Sequence, residues 1–233
     1  MKIQEVVVEL KAQANPKNVA GMARYGISVK GALGVSMPYL RALGKRIGRD
    51  HPLALALWKS GIHEARILAA LVDDPRQVTE SQLEKWVREL ESWDVCDQLC
   101  SNLIDRTPFA VAKAFEWTQR EEEFVKRAGF VVMAALSVHD KQSPDKLFIQ
   151  FLSVIEREST DGRNFVKKAV NWALRQIGKR NMVLHAAAVQ CAERIEQIDH
   201  RAARWIAKDA LRELANRKIV ERIIIKNRKR GLA

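Results

Sequence analysis

Apolar residues recur at spacings of three and four along most of the chain, and few segments alternate in twos. Clear examples are HPLALALWKS at 51–60, FVKRAGFVVMAALS at 124–137, FVKKAVNWALRQIGK at 165–179 and RAARWIAKDALRELANRKIVERI at 201–223. These spacings place apolar side chains on one face of an α-helix. The run IIIKN at 223–227 has the composition of a strand, but the charged helical pattern around it favours a last helix. The sequence therefore predicts an all-α protein.

The helical pattern also repeats. FVKRA at 124–128 recurs as FVKKA at 165–169, 41 residues later, and HEARILAAL at 63–71 is a looser third copy. An offset of this size lies in the range of about 40–47 residues typical of HEAT and armadillo units, which are helix pairs. We therefore predict one domain over 1–233, a superhelical solenoid of HEAT-like repeats with a concave binding surface. The alternative is a non-repetitive helical bundle with similar helix starts.

Composition and charge narrow the function. Forty Lys and Arg residues against 28 Asp and Glu give a net charge of +12, which favours a polyanionic partner: DNA, RNA or an anionic membrane. With 47% hydrophobic residues the chain can bury a core, but no stretch approaches the roughly 18 apolar residues of a membrane span. We expect a cytoplasmic protein that does not enter a membrane.

The positive charge is concentrated at the C-terminal end. From residue 201 onward there are eleven Lys and Arg residues and only three Asp and Glu residues. On a solenoid, successive helix ends could follow a phosphate backbone. The alternative is a solvated helix face followed by a frayed basic tail. We predict DNA phosphate contacts from Arg217, Lys218, Arg222, Lys226, Arg228, Lys229 and Arg230.

The three cysteines argue against a disulfide framework, because their number is odd. Cys96 and Cys100 have no third or fourth metal ligand nearby in the sequence, so we predict no metal site. All three thiols are expected to be small buried hydrophobic groups.

The segment ESWDVCDQLCSN at 91–102 is the first candidate site. Trp93 and Asp97 are four residues apart, so on a helix they share one face, where an indole and a carboxylate together can hold a cation. Spacing alone favours a structural alternative, in which Asp94 is the N-cap, Asp97 supports the helix dipole and Trp93 packs on the next turn.

Two further positions also have structural alternatives. Arg127 follows Glu123 by four residues and could form an exposed helix ion pair. Trp172 lies on an apolar stripe with Phe165 and Ala169, a pattern that is more often core than site.

Several separated motifs together resemble one known family. SWDVCD at 92–97, FVKRA at 124–128 and FVKKAVNWALRQIGK at 165–179 are similar to the three signature helices of the AlkD-type DNA alkylation repair proteins. The resemblance extends over nearly the whole chain, including GISVKGALGVSMPYLRALGKRIG at 26–48. It implies a superhelix of HEAT-like repeats that excises cationic N3- and N7-alkylated purines from DNA.

The resemblance also implies roles for individual residues. Asp97 matches the catalytic carboxylate, Trp93 and Trp172 match two site tryptophans, and Arg127 matches a site arginine; Tyr25 in MARYGIS matches an N-terminal site tyrosine. Two positions depart from the family, since Ser92 and Phe124 stand where relatives commonly have tryptophan.

The reaction that this family implies needs few catalytic groups. An alkylated purine is already cationic and leaves as a neutral base without a general acid. Asp97 would then stabilise the oxocarbenium-like sugar, the indoles of Trp93 and Trp172 would favour the cationic nucleotide, and Arg127 would hold a flanking phosphate. No metal or organic cofactor is required. The predicted partner is double-stranded DNA, alkylated or otherwise damaged, bound by a monomer.

Two other functions remain open. One is a non-catalytic relative that binds damaged or branched DNA by shape, which the departures at Ser92 and Phe124 favour and the presence of Trp93, Asp97 and Arg127 disfavours. The other is a HEAT-type scaffold for protein–protein contacts.

Overall fold

The computed structural model describes residues 1–228, with Lys226 and Arg228 described by their backbone only. These residues form fourteen α-helices and two short 3₁₀ turns, and no strand occurs among them. The predicted all-α class is therefore confirmed. The chain divides into two compact units, Met1–Ala110 and Val111–Ala233.

Unit 1 contains seven helices joined by short loops, with 3₁₀ turns at Ala23–Tyr25 and Ile104–Arg106. Their bounds are α1 Ile3–Ala12, α2 Pro16–Met22, α3 Met37–Ile47, α4 His51–Lys59, α5 His63–Val72, α6 Glu80–Arg88 and α7 Trp93–Asn102.

Helix α5 lies at the centre of unit 1 and packs against α3, α4 and α7. Most of its residues are buried, including the acidic Glu64. The carboxylate of Glu64 accepts backbone N–H groups of Leu33, Gly34 and Val35 at 2.8, 2.6 and 3.3 Å. These three bonds replace water around a buried charge and fasten the loop that precedes α3.

The other seven helices belong to unit 2. The first of them begins at Ala110, the last residue of unit 1. Their bounds are α8 Ala110–Trp117, α9 Glu123–His139, α10 Asp145–Arg157, α11 Asn164–Gly178, α12 Met182–Glu196, α13 Arg201–Leu214 and α14 Arg217–Arg228. The apolar pattern over 201–223 thus runs through two helices rather than one. The break lies at Asn216, whose side-chain oxygen accepts the backbone N–H of Lys218 at 3.0 Å and so starts α14. IIIKN is helical, as predicted.

The repeated motif begins two equivalent helices. FVKRA opens at the second residue of α9 and FVKKA at the second residue of α11, and these two helices pack along each other. The rings of Phe124 and Phe165, the first residues of the two motifs, lie 5.6 Å apart. Helix α8 also approaches α9 closely, since a Cβ on Gly129 would stand 3.1 Å from the carbonyl oxygen of Ala114 on α8.

Candidate functional site

Helix α7 begins in a network of hydrogen bonds that ties it to α5. Ser92 is the N-cap residue; its Oγ donates to Asp94 Oδ1 at 2.5 Å and accepts the backbone N–H of Ser28 at 3.3 Å. His63 Nε2 lies 2.8 Å from Asp94 Oδ2 and donates to it, because an ionised carboxylate can only accept. Ser92 and His63 are both buried. The network fixes the first turn of α7 before any ligand arrives.

The alternative that made Asp94 the N-cap is wrong. Asp94 is the second residue of the helix, the N-cap residue is Ser92, and the carboxylate of Asp94 is bound by His63 on α5. Burial of Asp94 disfavours its charge, but hydrogen bonds from His63 and Ser92 outweigh burial and hold the pKa of Asp94 below its usual value. Asp94 therefore stays ionised at neutral pH and serves as an internal anchor.

Trp93 and Asp97 are the first and fifth residues of α7 and therefore lie one turn apart. Both side chains are partly exposed. The indole N–H of Trp93 donates to the carbonyl oxygen of Tyr25 at 3.0 Å, while the Tyr25 side chain remains 73% exposed. The structure thus brings together Trp93 and Tyr25, two residues that are 68 positions apart in the chain.

Arg127 in unit 2 is a buried cation. It lies in the second turn of α9, is only 5% exposed, and donates from Nη1 to the carbonyl oxygen of Phe165 on α11 at 2.6 Å. The alternative of an exposed ion pair with Glu123 is therefore wrong, because α11 covers the guanidinium. This bond orients the guanidinium toward α11.

Trp172 lies on α11 at the edge of the unit 2 core. Its neighbours Ala169 and Ala173 are buried, whereas Trp172 is partly exposed. The indole N–H lies 2.9 Å from the side-chain amide of Gln176, whose oxygen accepts it. The indole is therefore held in place by a residue one turn further along the same helix.

The predicted site residues fall into two sets. Trp93, Asp97 and Tyr25 belong to unit 1, and Arg127 and Trp172 belong to two packed helices of unit 2. In each set a backbone or side-chain hydrogen bond orients an aromatic or cationic side chain. The catalytic and DNA-binding roles of these residues stay predictions.

The basic residues predicted at the C-terminal end lie on α14 as far as the structure describes them. Arg217, Lys218 and Arg222 are exposed, and Arg217 Nε lies 2.8 Å from Glu221 in an exposed ion pair. Lys226 and Arg228 are placed by their backbone on the same helix. Lys229 and Arg230 lie outside the described residues.

A second cationic surface escaped the sequence analysis. Arg41, Lys45 and Arg49 line a groove of about 290 Å³ beside α3. Arg49 is oriented by the carbonyl oxygens of Leu71 and Asp73, at 3.2 and 2.5 Å. Within residues 1–228, Arg41 and Lys45 have no ion-pair partner. The four-residue spacings from Arg41 to Lys45 and on to Arg49 were a usable signal for this cationic groove.

The cysteines and the other potential metal ligands can be described for residues 1–228. Cys96, Cys100 and Cys191 are buried free thiols, as predicted. Burial raises the pKa of Cys191 to about 12. No group of three or more potential metal ligands occurs in that part of the chain. No described helix is long and apolar enough to cross a membrane.

Comparison with known proteins places this helix-pair architecture in a class. A solved structure superposes with a TM-score of 0.76 at 19% identity, covering 91% of this chain and 95% of the other. That structure represents a new family of proteins related to the HEAT-like repeat DNA glycosylases with affinity for branched DNA structures. The likeness shows the fold, an all-α solenoid of HEAT-like repeats.

The sequence comparisons define the family. The model of the DNA alkylation repair enzyme family matches residues 6–214, so this chain belongs to that family. An uncharacterized protein of Listeria innocua, Lin0241, is 22% identical over 194 residues, which are 82% of this chain and 84% of the relative. The family membership confirms the resemblance found in the sequence.

Proposed function

We propose that this protein is a DNA glycosylase that hydrolyses the N-glycosidic bond of cationic N3- or N7-alkylated purines in duplex DNA. The observation that carries the proposal is the pair Trp93 and Asp97, one turn apart and partly exposed at a helix start that is held rigid. A rigid support matters because electrostatic stabilisation of a transition state requires groups that do not reorganise during the reaction.

The reaction needs Asp97 to stay ionised beside the sugar. The C1′–N bond breaks and its electron pair neutralises the alkylated purine, which departs as a neutral base. Positive charge moves onto the sugar, where the carboxylate of Asp97 stabilises it. Water then adds to C1′ and releases a proton, which leaves an abasic site and the free base.

The two indoles explain why the proposed enzyme would prefer cationic lesions. The faces of Trp93 and Trp172 attract a cationic nucleotide, an interaction worth about 0.5–2 kcal/mol depending on desolvation. Each indole N–H already has an acceptor, Tyr25 for Trp93 and Gln176 for Trp172. The rings are therefore oriented in advance. Arg127 is assigned to a flanking phosphate.

Cationic surfaces supply the remaining affinity for DNA. The groove of Arg41, Lys45 and Arg49 and the exposed cations of α14 are assigned to phosphate contacts. Because such contacts carry no sequence information, we expect little preference for base sequence.

The test is base release from duplex DNA that contains N7-methylguanine, with DNA affinity measured in parallel. Asp97→Asn should lower the rate about 100-fold or more while affinity stays near that of the wild type. Glu91→Gln is the matched control, because it removes an exposed carboxylate two residues before α7 and should change the rate less than twofold. A wild type that binds DNA but releases neither N7-methylguanine nor N3-methyladenine contradicts the proposal.

A second candidate function is binding of branched or damaged DNA without catalysis. The observation that favours it is the fold likeness to a family with affinity for branched DNA. The departures at Ser92 and Phe124, where the resemblance implies tryptophan, agree with it. Preferential binding to a four-way junction with no base release would support this function. A protein–protein scaffold would instead lack the DNA retention that phosphate contacts give, which weakens steeply as the salt concentration rises.

A further inference from the structure

One face of α13 combines positive charge with an exposed aromatic ring. Arg201, Trp205, Lys208 and Arg212 follow each other at spacings of four, three and four residues, so they lie in one row along the helix. All four are exposed. We call this row the α13 stripe. The opposite side of the helix is buried through Ala202, Ala203, Ile206, Ala207, Ala210 and Leu214.

Trp205 is the unusual member of the stripe. It is 39% exposed, although tryptophan is a residue that proteins mostly cover. The ammonium group of Lys167, on α11, stands 4.7 Å from the centre of the ring. Lys167 therefore covers one face of the indole, and a base can stack on the other face.

The stripe keeps a positive charge because only one of its three cations is paired with an acidic residue. Glu213 pairs with Arg175 on α11 and with Lys179, the residue after α11, whereas Asp209 pairs with Arg212 within the stripe. Within residues 1–228, Arg201 and Lys208 have no ion-pair partner.

The helix that carries the stripe is held firmly. Asn171 on α11 is fully buried, and its amide donates to the carbonyl oxygen of Ile206, the neighbour of Trp205, at 3.0 Å. Small buried alanines on the same helix permit close packing against α11 and α12. Trp205 is therefore presented from a rigid support, which reduces the entropy lost when a ring stacks on it.

We propose that the α13 stripe binds DNA where a base is unpaired, with Trp205 stacking on that base and Arg201 and Lys208 contacting the adjacent phosphates. Inside a duplex the base faces are covered by their neighbours, so an indole outside the duplex cannot reach them. A fork, a branch or a single-stranded end exposes these faces, and stacking on tryptophan accepts any base. The proposal rests on the proposed binding of DNA, but it does not require base excision.

The test compares the full-length protein on a blunt duplex and on the same duplex with a splayed, single-stranded fork. Trp205→Ala should weaken fork binding about tenfold and change duplex binding less than twofold. Trp205→Phe should keep most of the fork affinity, because an aromatic face remains. Lys208→Ala should weaken fork binding more than duplex binding and lower the salt dependence of fork binding by about one released ion.

Controls separate this proposal from the glycosylase proposal. Val183→Ala removes another exposed apolar residue of unit 2, on α12, and should leave both affinities unchanged. Release of N7-methylguanine from duplex DNA should be unaffected by Trp205→Ala, and fork binding can be measured even if the wild type releases no base. Equal losses on fork and duplex in Trp205→Ala, no loss on either probe in that variant, or a wild type that binds neither probe would overturn the proposal.

Discussion

The two copies of the repeated motif in unit 2 have almost the same sequence and different surroundings. Phe124 of FVKRA and Phe165 of FVKKA stack on each other. At the third position, Lys126 Nζ lies 2.6 Å from a carboxylate oxygen of Glu158, whereas Lys167 stands over the ring of Trp205. The same lysine is thus half of an ion pair in one copy and half of a cation–π contact in the other.

The fourth position shows the larger difference. Arg127 is buried and donates to the backbone of Phe165, which belongs to the second copy. Lys168 is exposed and has no ion-pair partner within residues 1–228. The first copy is covered by the second, and the second copy has no third one in the same position. The place of a motif in the array therefore decides whether its cation is structural or available to solvent.

The largest expected effect comes from removing the buried member of this pair. Arg127→Ala leaves the carbonyl of Phe165 without its donor and removes a packed side chain, so the free energy of unfolding should fall by about 2–4 kcal/mol. Arg127→Lys should retain only part of the lost free energy of unfolding, because lysine lacks the planar fork of donors. Urea unfolding measures both changes.

The control for Arg127 is the equivalent position of the other copy. Lys168→Ala should change the free energy of unfolding by less than about 0.5 kcal/mol, as expected for an exposed side chain. Similar losses for Arg127→Ala and Lys168→Ala would mean that the two copies are equivalent after all.

The next effect concerns the stability of the protein at acid pH, to which the two lysines at the third position of the motif contribute differently. Lys126 pairs with Glu158 and lies 3.5 Å from Asp161. Burial disfavours both carboxylates, but hydrogen bonds from Lys126 to Glu158 and from Arg163 to Asp161 outweigh it, and their pKa values lie below the ordinary 4.5 and 3.8. A lowered folded-state pKa stabilises the protein above the unfolded-state pKa, and this stability is lost as the pH falls through the folded-state value.

Thermal unfolding between pH 7 and pH 3 measures that contribution. The wild type should lose stability as the pH falls below about 4.5, and Lys126→Met should flatten this part of the curve because Glu158 loses the main partner that lowers its pKa. Lys167→Met should leave the acid limb unchanged, since Trp205 does not titrate. A flattened limb in Lys167→Met would contradict the assignment.

The sequence was sufficient for features that depend on nearby residues. Spacings of three and four predicted the helices, and the 41-residue offset between FVKRA and FVKKA predicted two packed, equivalent helices. The burial of Arg127 could not be predicted in this way, because its acceptor is 38 residues away and both copies of the motif carry a cation at this position. The prediction that Asp94 is the N-cap failed for the same reason, because its partner His63 is 31 residues away.

The stacked rings should couple the two copies more weakly. Phe124→Ala and Phe165→Ala each remove one ring of the pair, so a double-mutant cycle should give a coupling energy of about 0.5–1.5 kcal/mol. Unfolding of the two single variants and the double variant in urea measures it. Additive effects would show that the rings pack independently, and the comparison would then rest on the cations alone.

The smallest effect is expected from making the second copy identical to the first. Lys168→Arg converts FVKKA into FVKRA, but the new guanidinium should remain exposed because no further copy covers it. The free energy of unfolding should change by less than about 0.5 kcal/mol. The swap variant Arg127→Lys with Lys168→Arg should unfold like Arg127→Lys alone, since an arginine at 168 cannot supply the donor that Phe165 loses. Recovery of stability in the swap variant would show that motif identity, rather than position in the array, determines the role of this cation.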